Sequence, residues 1–76
     1  MNAPIKTQPC DLAYEEIFAR LDAWLRDSRH YREVKIRPVL GGMICALYSG
    51  GNPVAQSGGR ATDDAIANAL ELAGAL

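Results

Sequence analysis

The sequence has few of the residues that build metal centres, disulfide networks or membrane segments. Its 76 residues contain one histidine, His30, and two cysteines, Cys10 and Cys45, none at the spacing of a metal-ligand set. The net charge of −1 excludes a strong overall attraction to nucleic acid. No apolar run approaches the roughly 20 residues that a membrane-spanning helix requires. We therefore expect no metal, no cofactor and no membrane partner.

The N-terminal residues MNAPIKTQPC contain two prolines and lack the hydrophobic stretch of a secretion signal. We therefore expect a cytoplasmic protein with reduced cysteines. Residues 1–10 are predicted to form an extended arm, and residues 11–76 a single domain. Cys45 lies inside an apolar run, which is typical of a core residue.

The first periodic segment predicts a helix from about Leu12 to Asp27, with Asp11 as its N-cap. Glu16 with Arg20, and Asp22 with Arg26, are acid-before-base pairs on the exposed side. The apolar positions recur at spacings of three and four and predict a buried stripe: Tyr14, Ile17, Phe18, Leu21, Trp24 and Leu25.

From Tyr31 the sequence alternates between apolar and polar residues, which predicts a strand with Val34, Ile36 and Leu40 turned inward. Pro38 cannot donate a ladder hydrogen bond, so either this strand is expected at a sheet edge or its hydrogen bonding is expected to stop near that proline. The segment MICALY, residues 43–48, is apolar at every position and predicts a central strand. Gly41-Gly42 and the SGGN segment are the expected turns, and PVAQS the third strand.

The last periodic segment predicts a second helix capped by Thr62, with Asp63 and Asp64 in its first turn. Its buried stripe is predicted as Ile66, Ala69, Leu70 and Ala73. Gly58-Gly59 is interpreted as the bend before it. The whole chain therefore predicts an α+β fold of αβββα order, with a three-stranded antiparallel sheet and two helices packed on one of its faces.

The sequence does not contain a recognisable catalytic constellation. His30 lies in a charged turn, and Asp63 and Asp64 are best explained as partners of the helix dipole. The stretch SGGR before that helix resembles a phosphate cradle, but two carboxylates follow it where an anion would bind. We therefore expect a protein that is not an enzyme.

Five of the eight basic residues lie between Arg26 and Arg37. If they share a surface with Tyr31, they form a small basic patch for nucleic acid. The alternative is that these charges keep a sheet edge soluble, and Asp27 and Glu33 interrupt the patch.

The order αβββα resembles that of the double-stranded RNA-binding domain. Members of that family carry a lysine cluster at the start of the final helix, whereas this chain has Asp63 and Asp64 there. The resemblance implies a shared topology without the RNA-binding activity.

The short β meander with glycine turns and the ending GGRATDDAIANALELAGAL resemble small accessory proteins encoded by bacteriophages and prophages. Some of these are inhibitors of host defence, including anti-CRISPR proteins. This resemblance covers residues 31–76 and rests on the general character of the segment, without a specific motif. It implies a protein that binds and blocks a host complex, itself a nucleoprotein in the anti-CRISPR case.

The apolar strand MICALY predicts a binding surface, because two helices cover only one face of a small sheet. The uncovered face is expected to meet a second copy of the chain or another protein, unless the arm with Ile5 folds across it. The candidate partner-binding residues are Tyr31, Arg32, Lys35, Arg37, Met43, Cys45 and Leu47.

Overall fold

The computed structural model describes residues 13–27 and 29–76 and contains two helices and one sheet. The elements in chain order are α1 (Tyr14–Arg26), β1 (Arg32–Val39), β2 (Gly42–Ser49), β3 (Asn52–Gly59) and α2 (Thr62–Leu72). The sheet is antiparallel with the order β1-β2-β3. The predicted α+β fold of αβββα order is therefore confirmed. The arm, the proposed cap Asp11 and Leu12 lie outside the described residues.

The first hairpin turn lies one residue earlier than the glycine pair suggested. Gly41 has a φ of +89°, whereas Gly42 is already the first residue of β2 and pairs with Val39. Gly42 is a glycine for a different reason, because a Cβ there would collide with the carbonyl oxygen of Gly59. In the second turn, Gly50 and Gly51 both have positive φ, as a tight hairpin requires.

Helix α1 buries most of the predicted stripe against the core. Ile17, Leu21 and Trp24 are buried, while Tyr14 at the first turn is 59% exposed. Ala13 occupies the N-cap position without a side-chain hydrogen bond. The two predicted surface ion pairs are confirmed, with N–O distances of 2.9 Å for Arg20–Glu16 and 3.1 Å for Arg26–Asp22.

The start of α2 differs from the prediction in two respects. Thr62 is the first helical residue, and extended Ala61 occupies the N-cap without a side-chain hydrogen bond, so the predicted Thr62 cap is wrong. Gly58 and Gly59 are the last residues of β3 rather than the bend, which falls at residues 60–61. Gly59 permits close approach, because a Cβ there would lie 2.6 Å from the Ala65 nitrogen.

The core forms where α2 and α1 meet one face of the sheet. Small alanines let α2 approach β2 and β3 closely, and five of its residues are buried: Ala65, Ile66, Ala67, Ala69 and Leu70. They pack with Ile17, Leu21 and Trp24 of α1 and with Cys45 and Leu47 of β2. The two helices therefore share one side of the sheet, as the sequence predicted.

Candidate interaction surface

The register of the sheet decides which residues of β2 face the helices. Cys45 and Leu47 are 0% exposed and belong to the cluster formed with α1 and α2, and Met43 packs against that cluster. Cys45 and Leu47, which were predicted to bind a partner, therefore have no exposed surface in this fold, and Met43 is partly buried beside them. Both faces of MICALY are apolar, so composition alone could not show which of them the helices cover.

The open face of the sheet, defined by the opposite set of positions, carries Ile44, Ala46 and Tyr48 of β2. Along β1 it carries Arg37 opposite Ile44 and Lys35 opposite Ala46. The Lys35 Nζ lies 5.0 Å from the centroid of the Tyr48 ring, within the range of a cation–π interaction. Glu33 lies opposite Tyr48 on the same face, so the open face is an apolar row with one carboxylate and two cations along one side.

A signal in the sequence could have identified this arrangement. A hairpin turn at residues 40–41 or at residues 41–42 pairs odd-numbered residues of β1 with even-numbered residues of β2. Either turn therefore places Ile44, Ala46 and Tyr48 on the side of Lys35 and Arg37. Grouping those two cations with odd-numbered residues of β2 was inconsistent with the hairpin itself.

Arg32 was expected to contact a partner, but the structure gives it an internal role. Its Nη1 donates a hydrogen bond to the Trp24 carbonyl oxygen at 2.7 Å, and its guanidinium lies 4.4 Å from the centroid of the Trp24 ring. Arg32 therefore joins the end of α1 to the start of β1. Its Nε is buried and has no hydrogen-bond partner among the described residues.

Tyr31, Lys35 and Arg37 are the predicted site residues that stay accessible. Tyr31 is 73% exposed just before β1, and its carbonyl oxygen accepts a hydrogen bond from the Gly50 nitrogen at 2.7 Å. Its ring is thus presented at the end of the sheet where the second hairpin turns. Lys35 and Arg37 are exposed along β1.

The basic residues between Arg26 and Arg37 do not form one patch. Arg26 pairs with Asp22 on the exposed side of α1, while Arg32 lies on the helix side of β1. Only Lys35 and Arg37 of this group lie on the open face. The predicted cluster is therefore divided between different surfaces.

Cys45 is a buried free cysteine. Desolvation by burial raises the pKa of its thiol from 9.0 to about 11. A buried thiol with that pKa is protonated at neutral pH, which disfavours reaction as a nucleophile. Its contribution is to fill space in the core.

The described residues contain few other groups that could form a catalytic or metal-binding site. A shallow depression on the outer side of α1 is lined by Glu15, Glu16, Ala19, Arg20 and Ala23. Across residues 13–27 and 29–76, no three histidine, cysteine or acidic side chains are grouped to hold a metal ion. Over the same residues, neither helix is long and apolar enough to cross a membrane.

Fold and surface together define a small αβββα domain in which both described helices lie on the same face of the sheet. Comparison of the chain with protein-family models, with curated proteins and with solved structures found no match.

Proposed function

We propose that the protein is a non-enzymatic binding module that attaches to another protein through the open face of its sheet. The observation that carries this proposal is the apolar row on the side opposite α1 and α2, in which Ile44 and Tyr48 are partly exposed and Ala46 between them is 8% exposed. Small domains rarely leave a continuous apolar surface in water unless it meets a partner. The side chains are presented on a strand, so binding requires little reordering.

The charges beside the row indicate the chemistry of the partner. Lys35 and Arg37 lie along one side of it, and Glu33 lies at the end of the same side, opposite Tyr48. A complementary surface is apolar at its centre and carries carboxylates along one edge, because charge complementarity steers encounter and fixes orientation. This arrangement favours an acidic protein surface over a neutral one.

The proposed role is inhibition of a host complex, as the resemblance to phage accessory proteins implies. In that role the protein acts in the cytoplasm by blocking a surface that the host complex needs. A blocking role needs no reactive side chain. It is consistent with a Cys45 that is buried and protonated and with an Arg32 that is bound to the Trp24 carbonyl. An anti-CRISPR activity is one member of this class.

The experiment is quantitative affinity capture from a bacterial lysate with the immobilised protein and two open-face variants, Tyr48→Ala and Arg37→Glu. We expect both variants to lose the protein that the wild type retains. Arg20→Glu reverses a charge on the outer side of α1 and is the matched control, which should retain it. Equal recovery by all four proteins would contradict the proposal.

Single-stranded nucleic acid is a second candidate for the same face. The observation that favours it is the Lys35 ammonium above the Tyr48 ring, with Arg37 on the same side of the sheet. A ring flanked by cations stacks on a base and neutralises phosphate. Anisotropy of a labelled oligonucleotide should then rise at low salt and fall steeply as salt increases. An unchanged anisotropy at low salt removes this candidate.

A further inference from the structure

The hydrogen bonds at the ends of the sheet show which backbone groups of β1 face outward. The Tyr31 carbonyl accepts from the Gly50 nitrogen, so it points toward β2. Orientation alternates along an antiparallel strand, with the N–H and C=O of one residue on the same side. The even-numbered residues of β1, from Arg32 to Pro38, therefore turn their backbone groups away from β2.

This outer edge of β1 is protected against pairing with another strand. Pro38 lies at an outward position, so its missing N–H removes no bond to β2 and leaves the edge one donor short. Four of the eight residues of β1 are charged: Arg32, Glu33, Lys35 and Arg37. Proline and charged side chains are the devices by which natural sheets prevent association at an edge.

A second, independent hydrogen bond shows which backbone groups of β3 face away from β2. The Gly58 carbonyl accepts from Asn68 Nδ2 of α2 at 2.9 Å, so it points away from β2. By the same alternation, the N–H and C=O of Gln56 also face outward, together with the N–H of Gly58. Asn68 occupies one of these groups, and the other three have no hydrogen-bond partner among the described residues.

Unlike β1, the edge strand β3 carries no charged residue among its eight. Its one proline, Pro53, lies beyond the irregularity of pairing near Tyr48, so it does not protect the segment from Ala55 to Gly59. Gly59 already admits the first turn of α2, and Gly58 is a second glycine whose missing side chain allows a neighbouring backbone to approach closely. The segment therefore lacks the protection that β1 has.

Two exposed apolar side chains flank this unprotected edge. Val54 of β3 is 46% exposed. Leu72 is 66% exposed and lies four residues after Asn68, so it is on the same side of α2 as the contact with Gly58. Free backbone groups with an apolar side chain on each side are what an added strand requires.

We infer that the edge of β3 pairs antiparallel with the same edge of a second copy of this chain. Two identical uncharged strands meet without like-charge repulsion, whereas the charged residues of two β1 edges would repel each other. The pairing is isologous: each Gln56 exchanges its N–H and C=O with the Gln56 of the second copy about a two-fold axis. Leu72 of each α2 then lies close to the axis on the helix side.

The resulting dimer has one continuous sheet of six strands, three from each copy, with all four helices on the same side. The open face of each copy, with its Ile44, Ala46 and Tyr48 row, stays accessible on the other side. This inference does not rest on the proposed function, because it uses an edge of the sheet rather than its face.

Sedimentation equilibrium with three variants tests the inference. The wild type should sediment with twice the 8.2 kDa mass of one chain. Gln56→Pro removes an outward N–H without breaking the ladder to β2, and Leu72→Lys places a charge beside the edge without altering the strand. Both should reduce the mass to one chain. Ile36→Pro, at an outward position of the other edge, is the matched control and should remain dimeric if circular dichroism shows it folded.

Amide hydrogen exchange gives a second readout that does not depend on a proline substitution. The Gln56 N–H should exchange slowly in the concentrated wild type and rapidly in folded Leu72→Lys. A wild type that is monomeric at all concentrations, or a dimer that Leu72→Lys leaves intact, would overturn the inference. If Tyr48→Ala is monomeric while Leu72→Lys remains dimeric, the dimer interface is the open face. That result would also overturn the inference.

Discussion

The two faces of β2 are equally apolar in sequence but differ completely in environment. Cys45 and Leu47 are sealed beneath α1 and α2, whereas Ile44 and Tyr48, their immediate neighbours, lie on the open face beside Lys35 and Arg37. Both helices pack on one face, so the apolar residues of the other face lie outside the helix-covered core. Neighbouring residues on each strand should therefore respond very differently to substitution.

Leu47 and Ile44 should show the largest difference between the two faces. Leu47→Ala leaves a cavity under both helices and should lower the free energy of unfolding by about 2–5 kcal/mol, which is the usual cost for a buried leucine. Ile44→Ala removes a side chain from the open face and should lower it by roughly 1 kcal/mol, since partial exposure reduces the apolar area lost. Urea denaturation followed by circular dichroism measures both, and similar losses would show that the faces are equivalent.

Gly59 and Gly58 compare the helix-covered face with the open face at the end of β3. A Cβ at Gly59 would lie 2.6 Å from the Cβ of Asp64 and from the Ala65 nitrogen, so Gly59→Ala must displace the first turn of α2. We expect a loss of about 1–3 kcal/mol in the free energy of unfolding, as for other overpacked sites. The nearest atom to a Cβ at Gly58 is the Met43 carbonyl oxygen at 3.3 Å, so Gly58→Ala should cost less. A thermal melt in which Gly58→Ala is the less stable variant would contradict this account.

Arg32 and Lys35 give the smallest expected difference, on opposite faces of β1. Arg32→Ala removes a hydrogen bond to the Trp24 carbonyl and a cation–π contact, so we expect a loss of roughly 1–2 kcal/mol. Lys35→Ala removes only an exposed contact with Tyr48 and should cost a few tenths of a kcal/mol, about the value of an exposed cross-strand pair. Equal melting temperatures for the two variants would show that Arg32 does not help to hold α1 on the sheet.

Local features of the sequence were sufficient to predict the order of the elements. Alternation, helical spacing and glycine turns are short-range signals, and Pro38 correctly placed β1 at the edge of the sheet. The ion pairs of α1 were equally predictable because they depend only on a spacing of four residues.

The features that were predicted wrongly depend on contacts between distant residues. The burial of Leu47 rather than Ile44 and Tyr48 depends on where the helices pack. The role of Gly59 depends on its approach to α2, which no local glycine pattern reveals. Arg32 is predicted at a binding surface because it belongs to the basic stretch from Arg26 to Arg37, whereas the Trp24 carbonyl that it binds lies eight residues earlier.

Trp24 gives the molecule a built-in optical reporter. It is the single tryptophan of the chain, and its indole is buried beneath the Arg32 guanidinium where α1 meets the sheet. Its emission therefore reports on the attachment of α1 without a signal from any other indole. A separation of α1 from an intact sheet would shift this emission toward the red while the far-ultraviolet spectrum kept its strand signal.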